Sequence, residues 1–184
     1  MGEIKSTLDL VLEKTKHLTL SAEEKAEVRL QEALKKVPGY VERVINRVFT
    51  PERLLDEIQS FPQALQPRIR REIARQMCHT LDLSEKTDPL AEALEVLAEP
   101  GWATLLAEVR QSTSEYRQAR VSVRQEAENR ILTRLAETGV RGSAVVAKLE
   151  DDPSWKAEDG RLRHHCEQKL VALREALNQQ AASS

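Results

Sequence analysis

Two of the chain's four histidines and one of its two cysteines stand side by side in Arg161-Leu-Arg-His-His-Cys-Glu-Gln168, and both residue types are zinc ligands. Their spacing argues against a shared ion. Neighbouring helical residues project about 100° apart, whereas helical zinc sites use pairs three or four residues apart, as in HExxH. None of the four histidines has a second histidine or a cysteine at that spacing. A four-ligand group of Cys78, His79, His165 and Cys166 would require two helices to meet side by side, and each cysteine also lies on or beside an apolar stripe. There a thiol packs as a small hydrophobe. The expectation is therefore core packing for both cysteines, with no metal and no cofactor. Glu150-Asp151-Asp152 lacks the alternating oxygen ligands and turn glycine of a calcium loop. Asp152 before Pro153 reads instead as a helix cap. Gly139-Val-Arg-Gly-Ser-Ala144 lacks the GK[ST] ending of a phosphate loop, so Gly139 reads as a left-handed helix stop after Thr138. No nucleophile elbow or Ser, His, Asp arrangement is present, and the expectation is a protein without a catalytic site.

Arginine is the remaining residue type with chemistry to offer. Residues 68 to 75 hold four arginines against one glutamate, and the segment from 102 to 138 adds Arg110, Arg117, Arg120, Arg124, Arg130 and Arg134 among five glutamates. Arg68, Arg71, Arg75, Arg120 and Arg124 are the candidate contacts to a polyanion. Aromatic residues are only 3% of the chain, so RNA binding would rest on phosphate contacts and shape with little base stacking. The competing reading is of exposed helix faces laced with ion pairs.

The elements that would carry these groups are helical. Ala, Leu, Glu, Arg, Lys and Gln dominate, the residues that lose least entropy in a helix. Ile4, Leu8, Val11, Leu12 and Leu18 predict an amphipathic helix over 3–18. Ser21-Ala-Glu-Glu24 is a capping box opening a second helix, expected to stop at Pro38-Gly39. Tyr40, Val41, Val44, Ile45, Val48 and Phe49 have helical spacing, with a strand as the alternative because of their β-branched content. Thr50-Pro51, Pro67 and Asp88-Pro89 start three further short helices, the last ending at Pro100-Gly101. Residues 20–99 therefore read as a compact group of short helices.

From Trp102 no Pro or Gly interrupts the chain until Gly139. A stripe through Leu105, Val109, Ser112, Tyr116, Ala119, Val123, Ala127, Ile131 and Leu135 predicts one helix spanning on the order of 50 Å. Such a length exceeds what short helices can cover. Its expected partners are the helix over 3–18 and a last helix begun by Asp152-Pro153, whose stripe runs through Trp155, Leu162, Cys166, Leu170, Leu173 and Leu177. Gly160 interrupts that helix at a cost of about 1 kcal/mol relative to Ala, predicting a bend or a later start. The fold expected is all-α: a group of short helices plus a long antiparallel hairpin, 1–184 forming one helical domain whose possible subdivision sets 20–99 against a bundle of 3–18 with 102–180.

With 28 basic and 30 acidic residues in 184, the net charge of −2 implies neither nucleic acid nor an anionic membrane as a partner. Two well-separated cysteines without a CxxC, and no apolar run long enough to span a bilayer, predict no membrane insertion and a reducing cytoplasm.

Met1-Gly-Glu-Ile-Lys-Ser-Thr-Leu-Asp-Leu-Val-Leu-Glu-Lys-Thr-Lys16 resembles the opening of a family of small helical bacterial proteins, and Asp151-Asp-Pro-Ser-Trp155 resembles its closing segment. The resemblance covers about a third of the chain. It implies a bacterial cytoplasmic protein and brings no activity or site residues with it. Gln118-Ala-Arg-Val-Ser-Val-Arg124 resembles part of the long helix of ribosome recycling factors, which implies the ribosome as a possible partner. Those factors insert a β domain where residues 20–99 here read as helical. The function expected is a non-enzymatic interaction or scaffolding module, self-associating or binding a protein partner, with an RNA- or ribosome-associated factor as the alternative.

Overall fold

The computed structural model describes residues 21–97 and 101–183, which are helical with no strand. The helix predicted over 3–18 lies outside the described residues. In chain order the helices are α1 (Ala22–Leu34), α2 (Val37–Ile45), α3 (Pro51–Gln59), α4 (Gln66–Thr80), α5 (Thr87–Leu97), α6 (Trp102–Glu137) and α7 (Pro153–Ser183), with a 3-10 turn at Leu149–Asp151. The chain divides into two compact units, Met1–Lys36 and Val37–Ser184.

Local chemistry explains most of the boundaries. In the first unit, Ser21 Oγ accepts the Glu24 N–H at 3.1 Å, while the Ser21 N–H donates to Glu24 Oε2 at 2.6 Å, the reciprocal bonding that opens α1. That helix ends at Leu34, before the predicted stop. Pro38 and Gly39 lie in the first turn of α2 instead, where a fixed φ and a missing N–H cost nothing. The helical reading of 40–49 holds only to Ile45. Arg47 turns left-handed (φ 54°), its N–H donates to Val44 O, and the Val48 N–H donates to Arg43 O at 2.8 Å. Those two bonds close a Schellman stop, after which Val48 is 67% exposed and Phe49 folds back to stack 6.0 Å from Tyr40. Thr50 Oγ1 caps α3 by accepting the Arg53 N–H.

In the second unit α4 packs against α2, α3, α5 and α7; its Ile69, Ile73 and Met77 are buried with Leu81 just beyond its end, as are Val44, Leu54, Leu90 and Leu94 of the neighbouring helices. The helix α5 begins at Thr87, one residue before the expected cap. Asp88 then falls inside the first turn, where its carboxylate meets a side chain of α6.

The long hairpin is formed by α6 and α7. Its antiparallel sense is set by cross-pairs: Glu115 with Lys169, Arg120 with Asp159, and Arg134 with Asp152. Gly139 (φ 87°) makes the left-handed stop of α6, donating to Ala136 O while the Val140 N–H reaches Leu135 O. Asp152 Oδ1 accepts the Trp155 N–H at 2.9 Å and opens α7. As the Asp152-Pro153 cap pair predicts, α7 starts there, and it runs on through Gly160 rather than beginning after it. Thirty-one residues of packed helix outweigh one glycine's propensity cost of about 1 kcal/mol.

Candidate interaction surface and arginine faces

The two ends of the hairpin are covered very differently. At its base α5 packs on α6 and α4 on α7, and Leu106, Val109, Thr113, Tyr116, Leu170 and Leu177 are buried. The expected stripe began at Leu105, but Leu106 is the residue that turns fully inward. Two polar anchors fix this base. Arg117 holds Asp88 of α5 in a bidentate pair at 2.9 and 2.8 Å, and Arg174 Nη1 donates to Leu81 O at 3.1 Å at the end of α4.

Past Arg117 no described ion pair ties α6 to the short helices; its arginines there pair with α6 itself, with α7 or with the α7 cap. Of its outer stripe Ala127 is buried, while Ala119, Val123, Ile131 and Leu135 are only half-covered by α7 and the 3-10 turn. Trp155 and Leu162 across the seam are likewise half-buried. Val121 is 66% and Leu132 38% exposed. Eleven residues apart, those two side chains lie about 20° apart around the helix and share one outward face. Aliphatic carbons therefore stand partly in water along the outer arm of both helices.

The arginines are mostly engaged. Each of the six on α6 is paired: Arg110 with Glu95, Arg117 with Asp88, Arg120 with Asp159, Arg124 with Glu128, Arg130 with Glu158, and Arg134 with Asp152. On α4, Arg75 is paired with Glu72, and Arg68 also has a partner. Arg70 departs from the expected solvent-facing row. It donates from Nε to Leu97 O and from Nη2 to Val96 O, satisfying carbonyls at the end of α5. Arg71 is exposed and has no ion pair or hydrogen bond among the described residues. The five candidate polyanion contacts do not form one patch. Arg71 and Trp102 border a common cavity, and Arg120 lies eighteen residues further along α6, about 27 Å away by helical rise.

The histidine and cysteine group does not assemble into a metal site. Among the described residues no three His, Cys, Asp or Glu side chains converge as ligands. Cys78 is fully buried and its thiol is pushed up to about 12 by that burial; burial likewise raises Cys166. His79, His164 and His165 are exposed, and His164 Nε2 lies 3.0 Å from the Gln168 side chain. Asp152, from the acidic run, has its carboxyl held below its usual range, first by the Trp155 N–H and further by Ser154, Arg134 and Arg130.

Comparison with protein-family models, curated proteins and solved structures returns no match for the chain. No described helix is long and apolar enough to cross a membrane.

Proposed function

We propose that the chain is a non-enzymatic interaction module whose outer hairpin arm is the contact surface, self-associating through it or laying it against a helical protein partner. The reading rests on one observation: burial falls away along the hairpin while the apolar stripe continues, leaving Val123, Ile131, Leu135, Trp155 and Leu162 half-covered. A third or fourth helix in coiled-coil-like packing would complete their burial, at roughly 25 cal/mol for each Å² of apolar area removed from water. A second copy is the simplest such helix pair, because a twofold contact sets the same stripe against itself.

The arginine pairing disfavours the RNA- or ribosome-associated alternative, since a phosphate approaching Arg75, Arg120 or Arg124 must displace a carboxylate already in place. The resemblance of both chain ends to bacterial helical proteins, together with two buried free thiols, supports a bacterial cytoplasm as the setting.

Site-specific cross-linking tests the surface. Both native cysteines are buried, so a cysteine introduced at exposed Ser122 reports on the outer arm, and one at exposed Gln63 serves as the control. Self-association predicts rapid covalent dimers from Ser122→Cys and few from Gln63→Cys under the same mild oxidation. Equal, slow dimerisation of the two variants would count against a second copy as the partner.

A further inference from the structure

A cavity of about 470 Å³ opens among α3, α4, the end of α5 and the start of α6, within the size range of about 300–1,000 Å³ usual for small-molecule sites. Its apolar wall is Leu55, Ile58, Ala74, Leu97 and the ring of Trp102. Its polar lining holds Arg70, Arg71 and glutamines, and no carboxylate is among the described lining residues.

Several features give this cavity a positive character. Arg70 is committed to the carbonyls of Leu97 and Val96, but the Arg71 guanidinium has no partner among the described residues. The first residues of two helices also line it: Gln66 and Pro67 of α4, and Trp102 of α6. Neither N-cap residue, Leu65 or Gly101, makes a side-chain cap hydrogen bond, and each helix brings the positive end of its dipole to the cavity. Trp102 is only 5% exposed, and its indole Nε1 is buried with no acceptor. A buried donor without an acceptor is uncommon in a folded protein.

We propose that this cavity binds a small organic carboxylate with an apolar body, its anionic end at Arg71 and the two helix starts, its hydrocarbon against Leu55, Ile58, Leu97 and Trp102. A neutral ligand would leave the positive side unmatched. A fully hydrophilic anion would leave the apolar wall wet. The site is separate from the outer hairpin arm, and its occupancy does not depend on what that arm binds.

Trp102 is a built-in reporter. The chain has two tryptophans, and Trp155→Phe leaves Trp102 as the sole indole. In that background, titration with sodium octanoate is expected to give a saturable change in Trp102 fluorescence, with 1-octanol at least tenfold weaker. Arg71→Met should weaken octanoate at least tenfold and Arg71→Lys much less; because the Arg71 side chain is exposed and unbonded, circular dichroism should be unchanged in both. Three results would each overturn the proposal: no saturable response to octanoate at millimolar concentration, equal responses to octanoate and octanol, or unaltered octanoate affinity in Arg71→Met.

Discussion

Arg47 occupies a position that glycine usually fills. Its φ of 54° places an L side chain in the left-handed region, at a cost of roughly 1–2 kcal/mol, so that the two Schellman bonds can close α2. Its ion pair with Glu92, 3.6 Å and exposed at both ends, returns little of that. Arg47→Gly is therefore expected to stabilise the protein by about 0.5–1 kcal/mol after the added freedom of the unfolded chain is subtracted, read as a higher urea midpoint. A lower midpoint would show that the arginine side chain has a role beyond its backbone. Asp152 gives a residue-scale prediction of another kind. With its carboxyl pKa lowered chiefly by the Trp155 N–H, it contributes stability that is present above the ordinary carboxylate value of about 3.9 and is lost as pH falls through the lower folded value. Asp152→Asn keeps a capping oxygen without the charge, so its stability should vary less across this acid range, as measured by thermal unfolding from about pH 5 to pH 2. Asp152 as a cap is legible in sequence because Asp before Pro is a local signal. Arg47 is not, since nothing around it marks a left-handed residue, and Arg70 was hidden because its carbonyl partners lie 26 and 27 residues away.

At the scale of elements, local signals and tertiary packing agree in some places and conflict in others. The capping box at Ser21, the cap at Thr50 and the stop at Gly139 are all set by groups within a few residues, and each appears where its sequence signature lies. Pro38-Gly39 has two meanings, the end of one helix or the first turn of the next, and local sequence alone does not choose between them. Gly160 is decided by packing, because a helix fastened to α6 at both ends tolerates one poor residue. A Cβ at position 160 would meet nothing within 4 Å. Gly160→Ala should therefore stabilise α7 by about 1 kcal/mol, raising the melting temperature by about 2–4 °C for a chain of this size. A fall in melting temperature would mean that this turn of α7 needs glycine for a reason other than space. The arginines of α6 show the same limit on sequence reading. Their abundance is plain in the sequence, but Asp88, Glu95, Asp159 and Glu158, which neutralise four of them, come from other helices and become visible only when those helices pack.

For the whole molecule, the hairpin extends beyond the helices that cover its base, which follows from the mismatch between a 36-residue helix and partners of 9 to 15 residues. That mismatch can be read from the positions of proline and glycine alone. The register of burial cannot, and it is what separates the covered Leu106 and Tyr116 from the half-covered Ile131 and Leu135. The most direct test of the outer arm as an association surface is light scattering after size-exclusion chromatography at low and high salt, with absorbance at 260 nm read on the same peaks. Self-association through the arm predicts twice the 20.8 kDa chain mass at both salts, free of nucleic acid, and a shift to monomer in a Val121→Glu, Leu132→Glu double variant that keeps its helical content. A monomer at every concentration, or one that carries nucleic acid released by salt, would contradict self-association, and the second result would return the binding role to the arginine faces.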